Sequence, residues 1–333
     1  MLEYEIDLLV SDMIDLRLLS TSYRDFKLDG SEWYKDEYPP VYGRPRPIIE
    51  QILVLASVLD LDPRKALRFA NKLPKLPFLA EGWFAIPSVK ALVRKHFPKM
   101  IDNPRKEYRL AIELLLNVFK NPRSKLFVKD CLRSYFRESS NQLPSSSKKV
   151  HPRVTYRTED AIDRIERKQK SEILIIPAQL GYFRQHENVA KVYSCLMNNE
   201  FGLGVVSALA ILITNPERFS CPCQLRMHCP GDEIIFEQER YSSYGHCWIP
   251  MFRSTGRWGR SELSYDSVDS ISNVALATGF VIKDTEPLEK LSGWEGAKFS
   301  SVTVPYIQPT WEEWKERIKT HRQLRKKKFN VNK

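Results

Sequence analysis

The sequence predicts an α+β fold: an all-α N-terminal helical domain followed by a mixed α/β C-terminal domain. Three observations lead there. Apolar residues recur at helical spacing through most of residues 48–137. Residues 139–152 hold five serines and two prolines with little apolar content, the composition of a linker. Beyond them, short β-branched runs alternate with helical patterns. The expected boundaries are a domain of residues 1–138 with helix-turn-helix character, a linker of 139–152, an α/β domain of 153–315 and a basic tail of 316–333.

Ile6, Leu9, Val10, Met13 and Ile14 predict a helix over residues 2–19. Pro39, Pro40, Gly43, Pro45 and Pro47 then interrupt regular structure. Residues 48–59 are apolar almost all round, as in a helix buried on most sides. Asp62 followed by Pro63 starts the next helix, 64–73, because the carboxylate can cap and proline's missing N–H is harmless in a first turn. Ser88 caps a helix over 89–97, and helical patterns cover 108–119 and 124–137.

In the second half, Thr158 is the expected cap of a charged helix reaching Lys170, and residues 172–176 read as a buried strand closed by Pro177. Helices over 187–198 and 203–214 and strands over 225–229 and 234–239 follow. The aromatic stretch to Ser272 is irregular, and residues 274–282 fit either a helix or a strand. Trp311 and Trp314 open a last amphipathic helix that runs into Arg325, Lys326, Lys327 and Lys328.

Of the 333 residues, 42% are apolar and 28% charged, which suits a globular chain able to bury a sizeable core. No apolar run approaches the ~18 residues of a membrane span, so no membrane partner is expected. The first residues, Met1 to Asp7, are acidic where a secretory signal is basic, and the expected compartment is the cytoplasm. The net charge of +11 is unevenly placed: −6 over residues 1–43, +15 over 44–170, −4 over 171–310 and +6 over 311–333. A polyanion would therefore engage the middle and the tail.

Arg64, Lys65 and Arg68 lie on or near one face of the helix after the tight turn, and Lys90, Arg94 and Lys95 on the helix after Ser88. Cationic faces on helices with apolar backs suit phosphate contact, so nucleic acid is the expected partner, DNA first, and these six side chains its expected contacts. The competing view is that they are the solvated faces of ordinary surface helices. Residues 48–97, with DLDPRKALRFANKL and then IPSVKALVRKHF, loosely resemble the N-terminal helical domain of insertion-sequence transposases. Such enzymes hold a metal ion on an aspartate at the end of their first nuclease strand. Here Pro177, Ala178 and Gln179 stand there, so the resemblance does not extend to two-metal chemistry.

The most distinctive segments are PAQLGYFRQH at 177–186, NEFGLG at 199–204, TNPERF at 214–219 and HCPGDE at 228–233. Through them residues 158–235 resemble a group of uncharacterised bacterial proteins, a likeness that implies no activity. Gln179, Arg184 and His186 follow a strand, Glu200 precedes a helix start and Asp232 sits at a Pro-Gly turn. If the chain is an enzyme, Gln179, His186, Glu200 and Asp232 are the candidate acid/base set, with the reaction left open. The alternatives are structural roles in a helix start, a turn and backbone bonding, or a scaffold with no site. Cys221, Cys223, Cys229 and Cys247, with His228 and His246, supply enough ligands for zinc. Cys-x-Cys spacing grips one ion poorly, however, and buried free thiols are the competing explanation, so no metal is expected.

Overall fold

Helix α1 (Ile48–Leu59) forms where the apolar run predicts it and stops at Asp60, whose φ of 52° is left-handed. Leu61 N–H returns to the Ala56 carbonyl at 3.1 Å, which reverses the chain sharply. Here and below, the computed structural model describes residues 45–77, 79–99, 103–120, 132–134, 150–185, 189, 196–219, 226–236, 248–255, 260–267 and 275–282. The helix expected over 2–19, most of that over 187–198, the linker up to Lys149 and the basic tail lie outside the described residues.

Ser88 caps its helix as expected, whereas Asp62 acts one residue ahead of the cap position, which Pro63 occupies, and that helix ends at Ala70, short of the expected Leu73. The Asp62 carboxylate accepts from Arg64 N–H at 2.9 Å and opens α2 (Arg64–Ala70). Ser88 Oγ accepts from Ala91 N–H at 3.2 Å and opens α3 (Val89–His96). Helix α4 (Pro104–Lys120) starts earlier than its apolar pattern suggested, because Asn103 Oδ1 accepts from the N–H groups of Arg105 and Lys106 and Pro104 takes the first position. Helix α5 (Tyr156–Gln169) also starts before its expected cap. Thr158 sits inside the first turn, its hydroxyl donating to the Gly202 carbonyl at 2.9 Å. Helix α6 (Val205–Thr214) has all ten residues buried.

The strands are β1 (Gly82–Pro87), β2 (Leu132–Ser134), β3 (Val150–Val154), β4 (Ile173–Gln185), β5 (Glu200–Gly202), β6 (Met227–His228), β7 (Asp232–Phe236), β8 (Trp248–Thr255), β9 (Arg260–Ser267) and β10 (Ala275–Phe280). They order as β1-β4-β10-β6-β8-β9-β2, with β5 also on β10 and with β3 and β7 paired apart. The β10–β6 and β2–β9 pairs are parallel and the others antiparallel, so the sheet is mixed and the fold is α+β.

Strand β1 falls inside the stretch expected to be all-helical, and its residues pair antiparallel with Ile173–Ala178. Its Phe84, Ala85 and Ile86 join one core with Leu55 of α1, Leu115 of α4 and Leu209 of α6. Leu132–Ser134 is a strand where residues 124–137 suggested a helix, because it finds a parallel partner in Ser261–Leu263. The β8–β9 hairpin occupies part of the stretch expected to be irregular, and residues 275–280 settle as a strand.

Strand β4 does not close at Pro177, and the reason lies in its hydrogen bonding. Ile175 turns both its N–H and its carbonyl away from β1, onto the side-chain amide of Gln169 at 2.8 and 2.7 Å. Backbone groups two residues apart on a strand point the same way, so Pro177's missing N–H also faces away from β1 and the ladder loses nothing. A second glutamine serves the other edge. Gln51, on the inward face of α1 and 0% exposed, donates to the Arg46 and Trp83 carbonyls at 2.7 and 3.0 Å and accepts from Ala85 N–H at 3.1 Å.

Opposite β10, the strand bulges: Ala277 faces Leu180 while Ala275 faces Gln185, a step of two against a step of five. Gly181, with φ of 109°, takes a conformation L side chains avoid, and Gln179 Oε1 accepts its N–H at 2.8 Å.

Replacing either glutamine by leucine keeps volume and removes the amide. Gln51→Leu is expected to cost about 1–3 kcal/mol in urea denaturation because it strands buried backbone groups. Gln169→Leu is expected to cost less, since Gln169 is only half-buried and water can take its place. Equal losses would contradict this assignment.

Candidate functional site

The NEFGLG and CPGDE segments meet at the start of α6. A wholly buried helix cannot offer its first N–H groups to water, and Gly204 before it has no side chain to cap with. Asp232 and Tyr108 supply the missing acceptors: Asp232 Oδ2 takes Val205 N–H at 2.7 Å and Tyr108 Oη takes Val206 N–H at 3.4 Å. The Tyr108 hydroxyl donates in turn to both Asp232 oxygens, at 2.9 and 2.8 Å. The approach depends on glycines, because a Cβ on Gly204 would stand 2.7 Å from Asp232 Oδ1 and one on Gly202 would stand 2.4 Å from Gly231 N.

Burial pushes the Asp232 carboxyl up from its ordinary 3.8 to about 7, against the Val205 and Tyr108 hydrogen bonds, with the nearby Glu233 charge adding to the rise. Burial likewise pushes the Tyr108 phenol and the Cys229 thiol well above their ordinary values, and the Asp232 charge adds to both.

Glu200 and Gln179 belong to a second buried network, reached through Thr278. Gln179 Nε2 donates to the Leu276 carbonyl at 2.6 Å and to Thr278 Oγ1 at 2.9 Å, and Thr278 Oγ1 donates to Glu200 Oε1 at 2.7 Å. Arg184, carried inward by the β4 bulge, closes an ion pair on Glu200 at 2.6 Å, with the two side chains 4% and 0% exposed. Met197 N–H also donates to Glu200, and Arg157 ties the Glu200 and Met197 carbonyls at 2.7 and 2.6 Å. Asp232 therefore serves a different set of partners from Gln179 and Glu200, and His186 lies outside the described residues. All three described candidates are 0% exposed and bonded to structural partners.

The six basic candidates are all exposed, and three of them face carboxylates within the chain. Arg64 pairs with Asp62 at 2.8 Å, which holds that carboxyl below its usual range. Lys90 meets Asp163 at 2.8 Å and Glu166 at 3.2 Å, and its ammonium is pushed up, the Asp163 hydrogen bond outweighing burial. Lys95 meets Asp60 at 3.0 Å. Lys65, Arg68 and Arg94 have no carboxylate within 4 Å among the described residues. His96 bonds the Leu59 carbonyl at 2.8 Å, so the basic end of α3 lies against the turn from which α2 starts.

Of the thiols considered for zinc, Cys229 is buried and free, while Cys221, Cys223 and Cys247 lie outside the described residues. Among the described residues no group of three His, Cys, Asp or Glu side chains converges as a ligand set.

A cleft of about 270 Å³ opens between α2, α5, β4 and the end of β10, lined by Phe69, Lys72, Pro74, Ile165, Lys168, Gln169, Ile175, Pro177, Phe280, Val281 and Ile282. Of the described acid/base candidates, Gln179, Glu200 and Asp232 are not among the residues that line it. Sequence reasoning missed this cleft, because its walls are distant in the chain. It also missed Tyr108, whose only signal was a polar end on an inward helix position. No family model matches the chain, and no curated protein or solved structure matches it either.

Two predictions follow from the buried groups. A carboxyl whose folded value lies above its unfolded value binds its proton more tightly in the folded state. Its contribution is full below about pH 4 and is lost as pH rises through about 7. The wild type should thus lose on the order of 4 kcal/mol between pH 4 and pH 8 that Asp232→Asn retains, as read from denaturation at each pH. Parallel pH profiles would contradict the buried carboxyl. For the ion pair, Glu200→Leu or Arg184→Leu alone should cost about 3–5 kcal/mol, and the double variant clearly less than the sum. Additive losses in the double-mutant cycle would show that the two charges are not coupled.

Proposed function

We propose that the chain binds nucleic acid through the exposed basic surface formed by α2 and α3. The observation that carries this is the set of Lys65, Arg68 and Arg94, exposed cations of α2 and α3 that make no ion pair within 4 Å among the described residues, Lys65 feeling Asp62 only at longer range. An ammonium or guanidinium already facing a carboxylate gains little from a phosphate, whereas an unneutralised one releases a counterion on binding. Lys65, Arg68 and Arg94 are therefore the principal contacts, and Arg64, Lys90 and Lys95 secondary ones. The excess of +15 over residues 44–170 supplies the longer-range attraction.

The likeness of residues 48–97 to the helical domain of insertion-sequence transposases points to the same partner. The α1–turn–α2 arrangement supports a helix-turn-helix comparison in part. Helix α2 has seven residues, about 10 Å of helix, which suits gripping phosphates better than reading several bases along a groove. The reading is therefore of backbone contact with little sequence preference. No helix among the described residues is long and apolar enough to cross a membrane.

Binding of a mixed-sequence duplex, measured by fluorescence anisotropy across a salt series, should weaken steeply with salt. Neutralising Lys65, Arg68 and Arg94 together to glutamine should cut affinity by about tenfold or more and flatten the salt slope by about 2–3 units. Lys90→Gln should change both much less. Absence of binding at low salt, or an unchanged slope in the triple variant, would refute the proposal.

A further inference from the structure

Helix α2 places a line of cations and one wall of an apolar cleft on the same short stretch of chain. Lys65, Arg68 and Lys72 recur at i, i+3 and i+7, the spacing that puts side chains on one helix face. The helical path persists to the third of them, since Asn71 N–H donates to the Leu67 carbonyl at 3.3 Å and Lys72 N–H to the Phe69 carbonyl at 3.0 Å. All three are exposed, and Lys72, like the other two, makes no ion pair within 4 Å among the described residues. Seven helical steps rise about 10 Å, so the three form a short cationic track. Its Lys65 end leaves the turn that receives the basic end of α3, where His96 meets the Leu59 carbonyl at 2.8 Å.

The opposite end of the track reaches the cleft, which both Phe69 and Lys72 line. Phe69 is half-buried and packs against the core, so its ring is held in place while part of it stays uncovered. Pro74, Ile165, Ile175 and Pro177 continue the described lining with apolar surface.

Building on the nucleic-acid reading proposed above, we infer that the cleft takes one unpaired base of a single strand whose phosphates run along Lys72, Arg68 and Lys65. A phosphate at Lys72 leaves its nucleoside beside the cleft, where an aromatic ring and apolar walls can receive the face of a base. The cleft of about 270 Å³ is smaller than the ~300–1,000 Å³ of sites that enclose drug-sized ligands, and suits one planar base with its polar edge left in water at the open side. Contact through the face and not the edge tolerates any sequence, in keeping with a seven-residue helix that reads little of a groove. A fully paired duplex keeps its bases stacked inside, so it engages the track alone.

The test uses the full chain and three probes: an oligothymidylate, an abasic strand of the same length and charge, and the mixed-sequence duplex. Oligothymidylate should bind about fivefold or more tightly than the abasic strand. Hydrogen exchange at residues 280–282, which line the cleft away from the track, should slow with oligothymidylate and not with the abasic strand. Phe69→Leu keeps an apolar wall and loses the ring; it should abolish the preference for oligothymidylate and leave duplex affinity unchanged. Lys72→Met keeps the apolar stem and loses the charge; it should weaken both strands about two- to fivefold and flatten their salt slopes by about 0.7. Equal affinity of the wild type for the two strands, no added protection at 280–282, a preference that survives Phe69→Leu, or a salt slope unmoved by Lys72→Met would overturn the inference. Duplex binding that depends on Lys65, Arg68 and Arg94 while the two strands bind equally removes the base site alone, whereas absence of any duplex binding at low salt removes the premise with it.

Discussion

The start of α6 is the constraint on which the described core depends. A helix of ten buried residues contributes heavily to stability, since a fully buried valine, leucine or isoleucine is worth about 1.5–3 kcal/mol. That gain is available only if its first N–H groups find acceptors away from water. Asp232 and Tyr108 provide them from β7 and α4, elements distant in the chain. Bringing Asp232 there forces the Gly202 and Gly231 backbones to cross at contact distance, a geometry closed to any side chain. The Glu200–Gly202 strand is then held from behind by Arg157 and Thr158 of α5. NEFGLG and HCPGDE, which looked like separate signals in the sequence, are parts of one arrangement.

The sheet meets the same demand in a second way. Its strands end, bulge or lack a neighbour at several places, and glutamine amides stand in for absent strands. Gln51 serves β1, Gln169 serves β4, and Gln179 bridges the bulge between β4 and β10. An amide carries one donor group and one acceptor with the spacing of a peptide unit, which is why this side chain fits each gap. The buried Arg184–Glu200 pair belongs to the same logic, because the bulge brings Arg184 inward and the Glu200 carboxylate offsets the cost of burying its charge.

The local chemistry of this fold was legible in the sequence where one residue decides the outcome within a few positions. Ser88 caps the helix it was expected to cap, Asp62 bonds the Arg64 N–H at the start of its helix from one residue ahead of the cap, and the apolar runs at 48–59 and 203–214 become helices. What pairs at long range was not legible. Strand β1 lies amid helices and is recognisable only through its partner in residues 173–178. Pro177 reads as a strand end until its position relative to the ladder is known. Gln179, Glu200 and Asp232 read equally well as acid/base groups and as structural ones, and only their burial and partners distinguish these roles. Charge was legible in total but not in effect: Arg64, Lys90 and Lys95 face carboxylates, two of which, Asp163 and Glu166, come from a helix some seventy residues away.

The distinctive segments thus build the interior, and the surfaces available for binding are made of less conspicuous lysines and arginines. The claim at the centre of this account is that Asp232 is a buried cap without access to water. Its carboxyl ¹³C resonance, assigned by comparison with Asp232→Asn and followed across pH, measures this directly. The account predicts a midpoint near 7, far above the ordinary 3.8. A midpoint near the ordinary aspartate value would place the carboxylate in solvent and contradict it.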